Sequence, residues 1–207
     1  MPPIIPGQVK IDPYPTPNNS GDVAKAKELL TACGQPNGFE TSISYRPERP
    51  KEKAAAEAMQ QSLSKVGIKL TLKPYPAGDY FALYAGNPEF AKKNNLGLMQ
   101  MGWGADWTDG FGFLSQIVDS RVIRDAGNTN LGVKDPEVDK LIDKALANTD
   151  SAGREADWAA VDAQVMKSSY IVPGVWAKAL IYRPDTLTNV AVSNGQQMYD
   201  YLMLGKK

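Results

Sequence analysis

The sequence predicts an α/β layered domain. Three observations carry that expectation. Segments with apolar residues at helical spacing alternate with segments that alternate apolar and polar residues, in the order α-β-α-β-α-β, then a long irregular stretch, then α-α-β-β. The 207 residues are 43% hydrophobic and 22% charged, an ordinary globular balance, and a chain of this length buries a sizeable core without staples. Glycines and prolines stand where the periodic segments should stop.

The chain opens on a lead-in with prolines at 2, 3, 6, 13, 15 and 17, which removes backbone donors and fixes φ, so little regular structure is expected over residues 1–21. Asp22 then caps a helix in which Val23, Ala26, Leu29 and Leu30 share a face and Gly34 supplies the stop. Cys33, at its end, is expected as a small buried filler. Phe39, Thr41, Ile43 and Tyr45 alternate as one side of a strand ended by Pro47 and Pro50. Lys51 to Val66 reads as a helix with Ala55, Met59, Leu63 and Val66 inward and Lys51, Glu52, Lys53, Glu57 and Lys65 solvated. Ile68, Leu70 and Leu72 mark a half-buried strand, 79–93 a helix broken at Pro88, and Leu96 to Trp103 a buried strand. Residues 104–134 read as an irregular connection of the kind that carries function. Asp135-Pro136 opens the clearest amphipathic helix, with Val138, Leu141, Ile142, Ala145 and Leu146 on one face. Asp150 caps a second helix to about Ser169 with Trp158, Val161 and Val165 inward. Ile171–Lys178, Leu180–Arg183 and Met198–Leu204 are expected as strands.

Function classes fall away by composition. Lys+Arg and Asp+Glu are both 23, and this balance argues against nucleic acid or an anionic membrane as the main partner. With no histidine there is no Ser/His/Asp or Cys/His nucleophile set, and the commonest metal ligand is missing. A single cysteine cannot form an internal disulfide or a zinc cluster. No phosphate-binding Gly-x-x-x-x-Gly-Lys-Ser/Thr loop occurs, and Asp106 to Gly110 lacks calcium-loop spacing, so no metal or cofactor is expected. No apolar run is long enough to span a bilayer, and the N-terminus lacks the basic and apolar regions of a signal peptide.

The segment Gly102-Trp103-Gly104-Ala105-Asp106-Trp107-Thr108-Asp109-Gly110-Phe111 stands out. Two indoles beside two carboxylates suit a small-molecule pocket, in which aromatic walls give apolar area and a fixed carboxylate pairs with a ligand amine. The same residues serve equally as core tryptophans and turn aspartates, and Asp109-Gly110 alone is a turn signal. An acid-and-base pair of a carboxylate hydrolase, such as a glycoside hydrolase, is the enzymatic alternative for Asp106 and Asp109.

A series of motifs, in order, resembles one family. Ala24 to Leu30 with Gly34 and Pro36-Asn37-Gly38-Phe39 is similar to its first helix and "G-x-P-N-G-F". Ala54 to Leu72, Tyr80, Gly102-Trp103-Gly104-Ala105-Asp106, Asn130 with Asp135 to Ile142, and Ile171 to Val175 follow. Together they resemble the family 5 (cluster C) extracellular solute-binding proteins, which include oligopeptide- and dipeptide-binding proteins. The resemblance implies a periplasmic-binding-protein-like fold (type II, cluster C), with this chain as the C-terminal lobe, a mixed sheet flanked by helices. It implies a lobe over 22–183, a terminal segment over 184–207 returning to an N-terminal lobe, and Met1 as an introduced start. It implies no enzyme but the substrate-binding component of an ABC importer. That component captures a short peptide or similar solute outside the membrane, periplasmic or lipoprotein-anchored, with permease subunits as partners. Asp106 would receive the ligand's α-amino group, Trp103 would line the cleft, and Gly104, Ala105 and Trp107 would complete the ligand site. Trp107 stands where the family's hallmark has Tyr, and Gly110 where it has Pro, which leaves open whether the ligand is a peptide.

Overall fold

A computed structural model describes residues 1–193 and 197–207. The chain forms two compact units, one of residues 12–102 and 123–132, the other of residues 1–11, 103–122 and 133–207. In neither is any described helix long and apolar enough to cross a membrane.

The first unit is the α/β layer that the alternation predicts. Its elements are α1 (Val23–Ala32), β1 (Glu40–Tyr45), α2 (Pro50–Ser64), β2 (Lys69–Pro74), a single π-turn (Tyr80–Tyr84), α3 (Pro88–Lys93) and β3 (Leu96–Met99). The three strands form a parallel sheet in the order β2-β1-β3, with Ile43 level with Leu72. As the central strand, β1 is covered on both faces, so Ser42 and Ser44 are buried along with Ile43 and Tyr45. Their hydroxyls are satisfied locally. Ser42 Oγ donates to the Asn95 carbonyl at 2.5 Å, and Ser44 Oγ lies 2.8 Å from the Tyr80 hydroxyl. Burial pushes the Tyr80 phenol up to about 12, which keeps it neutral as a donor to the Ser44 carbonyl at 3.0 Å. Ile43, Tyr45, Ala56 and Leu70 make the core, with Met59, Leu63, Leu72 and Leu98 packed against it.

Asp22 caps α1 by accepting from Lys25 N at 2.8 Å, as its sequence position predicts. The rest of that helix departs from expectation. Val23 and Leu29 are exposed, and Cys33 is exposed as well, its thiol donating to the Leu30 carbonyl at 3.2 Å. A helical face read from spacing buries only when another element lies over it, and this one is covered in part: Ala26 and Leu30 are half-buried and no residue of α1 is fully buried. Glu52 differs in the other direction. It sits in the first turn of α2, is 7% exposed, and holds Arg46 through Nε at 2.9 Å, through the backbone N–H at 3.1 Å and through a second guanidinium nitrogen. The guanidinium carbon lies 5.0 Å from the Tyr80 ring centre and 5.3 Å from that of Phe81. Two glycines let the β1 and β2 entries cross. Gly38 has φ +76° and Gly67 φ +85°, and a Cβ on Gly38 would lie 2.1 Å from the Gly67 carbonyl oxygen.

The second unit is built on a helical hairpin, α5 (Pro136–Ala147) and α6 (Ser151–Lys167). Asp135 caps α5 by accepting from Glu137 N at 2.9 Å, with Pro136 at the first position, and Asp150 caps α6 by accepting from Gly153 N at 2.7 Å. Val138, Ile142 and Ala145 face Trp158, Val161 and Val165, all buried. The irregular stretch contains more helix than expected. A π-turn (Phe111–Ser115) runs into α4 (Gln116–Val118), burying Phe113, Leu114, Ile117 and Val118.

The end of this unit departs most from the sequence reading. Ile171–Lys178 and Leu180–Arg183 form no strand, and Val172, Leu180 and Tyr182 are 69%, 97% and 92% exposed. β-branched and aromatic residues favour strand geometry, but a strand also needs a neighbour for its backbone groups, and among the described residues there is none. Met198–Leu204 is also not one strand. β6 (Met198–Tyr199) pairs antiparallel with β5 (Val192–Ser193), a turn follows, and β7 (Gly205–Lys206) pairs antiparallel with β4 (Leu187–Thr188).

Candidate functional site

β3 ends at Met99, four residues short of Trp103, and residues 103–110 of the segment singled out by sequence form a loop within the second unit. The loop is closed on itself. The Trp103 indole N–H donates to the Gly112 carbonyl at 3.2 Å, and the Asp106 N–H donates to the same oxygen at 3.4 Å. Gly112 N–H donates to the Asp109 carbonyl at 3.0 Å. Ala105 is buried beneath the loop, Trp103 is half-buried, and Gly104 is exposed with open space where a Cβ would stand. Gly110 is needed for lack of room, since a Cβ there would lie 2.3 Å from Trp158 Cγ.

The two carboxylates have opposite surroundings. Asp109 is fully engaged. Its Oδ1 accepts from Phe111 N at 2.8 Å, and its two oxygens receive Arg154 Nε at 2.8 Å and a terminal nitrogen at 2.9 Å. Partial burial works to raise its pKa, but the hydrogen bonds from Arg154 and Phe111 and the Arg154 charge outweigh it, and the net direction is down. A carboxylate held ionised by a fork of donors serves poorly as either a general acid or a general base near neutrality. Asp106, by contrast, is exposed, and among the described residues no side chain or backbone donor meets its carboxylate.

Trp107 follows Asp106 and is 47% exposed, its ring tilted by 35° against Phe111 at 5.3 Å. It borders a cavity of about 450 Å³ whose walls also include Thr108, Met198, Tyr199, Asp200 and Tyr201. Sequence reasoning missed this second wall because it took Met198–Leu204 for a strand. The aromatic pair Tyr199 and Tyr201 is the signal that was available. The structure thus brings Trp107 to a cavity, leaves Asp106 open beside it in the chain, and gives Trp103 a structural hydrogen bond as well as a half-exposed face.

The family model for bacterial extracellular solute-binding proteins, family 5 Middle, matches residues 1–124. The chain belongs to the family 5 bacterial extracellular solute-binding proteins. Among curated members, it is 33% identical over 138 residues to heme-binding protein A of Haemophilus influenzae, spanning 64% of this chain and 23% of that protein. It is 27% identical over 193 residues to the glutathione-binding protein GsiB of Escherichia coli K12, spanning 91% of this chain and 35% of that one. The chain therefore spans roughly a quarter to a third of the length of these relatives. Among solved structures, clavulanic acid biosynthesis oligopeptide binding protein 2 superposes with a TM-score of 0.90 at 38% identity, over 99% of this chain and 37% of that one. The periplasmic binding protein DppA of Helicobacter pylori, in complex with the peptide STSA, superposes with a TM-score of 0.64 at 29% identity over 81% of this chain and 30% of that one. The family resemblance and the periplasmic-binding-protein fold expected from the motifs are both borne out. The hydrolase alternative gains nothing from these relatives or from the engaged state of Asp109.

Proposed function

We propose that this chain is the ligand-bearing part of the C-terminal lobe of a solute-binding protein that serves an ABC importer and catalyses no reaction. The solute is a short peptide or a similar small molecule with a free ammonium group. Asp106 pairs with that group, and Trp107 and Trp103 supply the apolar walls, with Gly104 and Ala105 forming the backbone between them. The single observation that carries this reading is the contrast within the loop. One carboxylate is locked by Arg154, and the other is open beside an exposed indole. The solved relatives named for oligopeptide binding, or holding a peptide, support the choice of ligand class.

The protein acts outside the cytoplasmic membrane, periplasmic or lipoprotein-anchored, and docks on permease subunits. The family's extracellular character supports this placement. Residues 1–21 act as a lead-in, 22–183 as the lobe, and 184–207 as a segment that returns to an N-terminal lobe. The exposed apolar side chains at Val172, Val175, Leu180 and Tyr182, close together in the chain, support contact with that additional chain, since clustered apolar surface marks an interaction site.

Calorimetry on the full-length protein with di- to pentapeptides, free and N-acetylated, tests the reading. Asp106→Ala should weaken binding of free-amine peptides by about 10- to 100-fold, the span expected for one charge-assisted pair, and should leave acetylated peptides unchanged. Equal weakening of both, or no weakening of either, would remove Asp106 from the site.

A further inference from the structure

Asp106 and Asp109 are three residues apart in one short loop, carry the same charge, and are both at least partly reachable from solvent. A ligand cation would meet either. What separates them is Arg154, which comes from α6, 45 residues away. Its Nε and one terminal nitrogen take both Asp109 oxygens, and the other terminal nitrogen donates to the Ala145 carbonyl at 2.8 Å near the end of α5. Its guanidinium carbon lies 5.7 Å from the ring centre of Trp158, the side chain on which Gly110 packs. Arg154 is thus held by three contacts, and each of its three guanidinium nitrogens donates to an acceptor inside this unit.

We infer that Arg154 is a specificity-determining counterion: by occupying Asp109 it leaves Asp106 as the one loop carboxylate open to a ligand ammonium. The inference rests on the proposed binding role of Asp106 and deepens it. Electrostatics gives the reason. Two unpaired carboxylates so close would offer a cation two overlapping wells and no fixed orientation, whereas one neutralised and one open carboxylate define a single direction of approach. Because Arg154 also ties the loop to both helices of the hairpin, the open carboxylate is presented from a rigid base.

Two measurements on the full-length protein separate this inference from the reading beneath it. The first needs no ligand. Carbodiimide coupling of glycine ethyl ester, read by mass spectrometry, should modify Asp106 readily and Asp109 at least about tenfold more slowly, as two charge-assisted hydrogen bonds protect the latter. Arg154→Met, which keeps the side-chain bulk on Trp158, should raise Asp109 labelling to the Asp106 level, and Arg154→Lys should restore part of the protection. Equal labelling of the two carboxylates in the unmodified protein overturns the inference without any variant having to fold.

The second measurement uses the free and N-acetylated peptide panel. Asp106→Ala should abolish the preference for a free amine, and adding Arg154→Met should bring a preference of about tenfold back through Asp109. If Asp109 becomes labelled but the double variant shows no amine preference, Arg154 does not determine specificity. If Asp106→Ala alone leaves the preference intact, the binding role of Asp106 fails instead.

Discussion

Glu52→Gln is the sharpest test of what holds the α/β unit together. Arg46 and Glu52 are 5% and 7% exposed, and the carboxylate takes two guanidinium nitrogens and the Arg46 backbone N–H. The amide isostere keeps the size but leaves a buried guanidinium with no counter-charge. Breaking a buried pair in this way costs about 3–5 kcal/mol, against a total domain stability of roughly 5–15 kcal/mol. All four tryptophans lie at 103, 107, 158 and 176, in the other unit, so indole fluorescence does not read this one. Native-state hydrogen exchange at the amides of β1 does. Protection there should fall by roughly a hundredfold to several thousandfold, since each 1.4 kcal/mol is a factor of ten. Replacing both partners, as Arg46→Met with Glu52→Leu, should recover part of the loss, because two apolar side chains need no counter-charge while the Arg46 backbone N–H still loses its acceptor. A fall of less than about tenfold in the single variant, or a double variant as weak as the single, would refute the claim that the pair is buried and mutually dependent.

Gly38→Ala should destabilise the same unit by at least about 1–3 kcal/mol, because the residue has φ +76° and its new Cβ meets a backbone carbonyl that cannot swing aside. Chemical denaturation followed by far-ultraviolet circular dichroism checks this, and an unchanged midpoint counts against the crossing of residues 38 and 67. Acid should weaken the second unit through Asp109. Its carboxyl pKa is lowered on folding, so the stabilisation is complete above the unfolded value of about 3.9 and is lost as pH falls through the lower folded value. The difference in melting temperature between the unmodified protein and Asp109→Asn should therefore hold near neutrality and shrink below about pH 4. A difference that stays constant through that window would mean that the Arg154 fork contributes little.

Much of the fold was legible because its signals are local. Asp22, Asp135 and Asp150 announce helix starts through their own side chains, and all three accept the backbone N–H expected of a cap. The amphipathic stripe of α5 buries Val138, Ile142 and Ala145 as its spacing requires, with Leu141 half-buried and Leu146, at its C-terminal end, left exposed. What escaped depends on partners that only the folded chain brings together. Glu52 looks like one charge among several on α2, and only the folded position of Arg46 shows that it faces inward. Cys33 and the α1 stripe look buried, but a stripe does not say whether anything lies over it. Residues 171–183 have strand chemistry and no strand, because pairing belongs to two segments and the sequence of one specifies half of it. The same limit applies to the loop. Asp106 and Asp109 share one loop, and Arg154, the residue that separates them, lies 45 positions beyond Asp109 on α6.

The physical character of the loop follows from where its polar groups are spent. The backbone N–H of Asp106, the indole of Trp103, the N–H of Phe111 and the guanidinium of Arg154 are all committed inside the unit, to acceptors on Gly112, Asp109 and Ala145. The Asp106 carboxylate and nearly half of the Trp107 surface are left to solvent. A loop selected only for stability would turn that indole inward and give the carboxylate a local donor, as Asp109 has. Fixing the frame while leaving one charge and one apolar face open instead spends the ordering cost before a ligand arrives, which is the condition for orienting a small solute. Loosening the frame should then reduce affinity even where Asp106 itself is untouched.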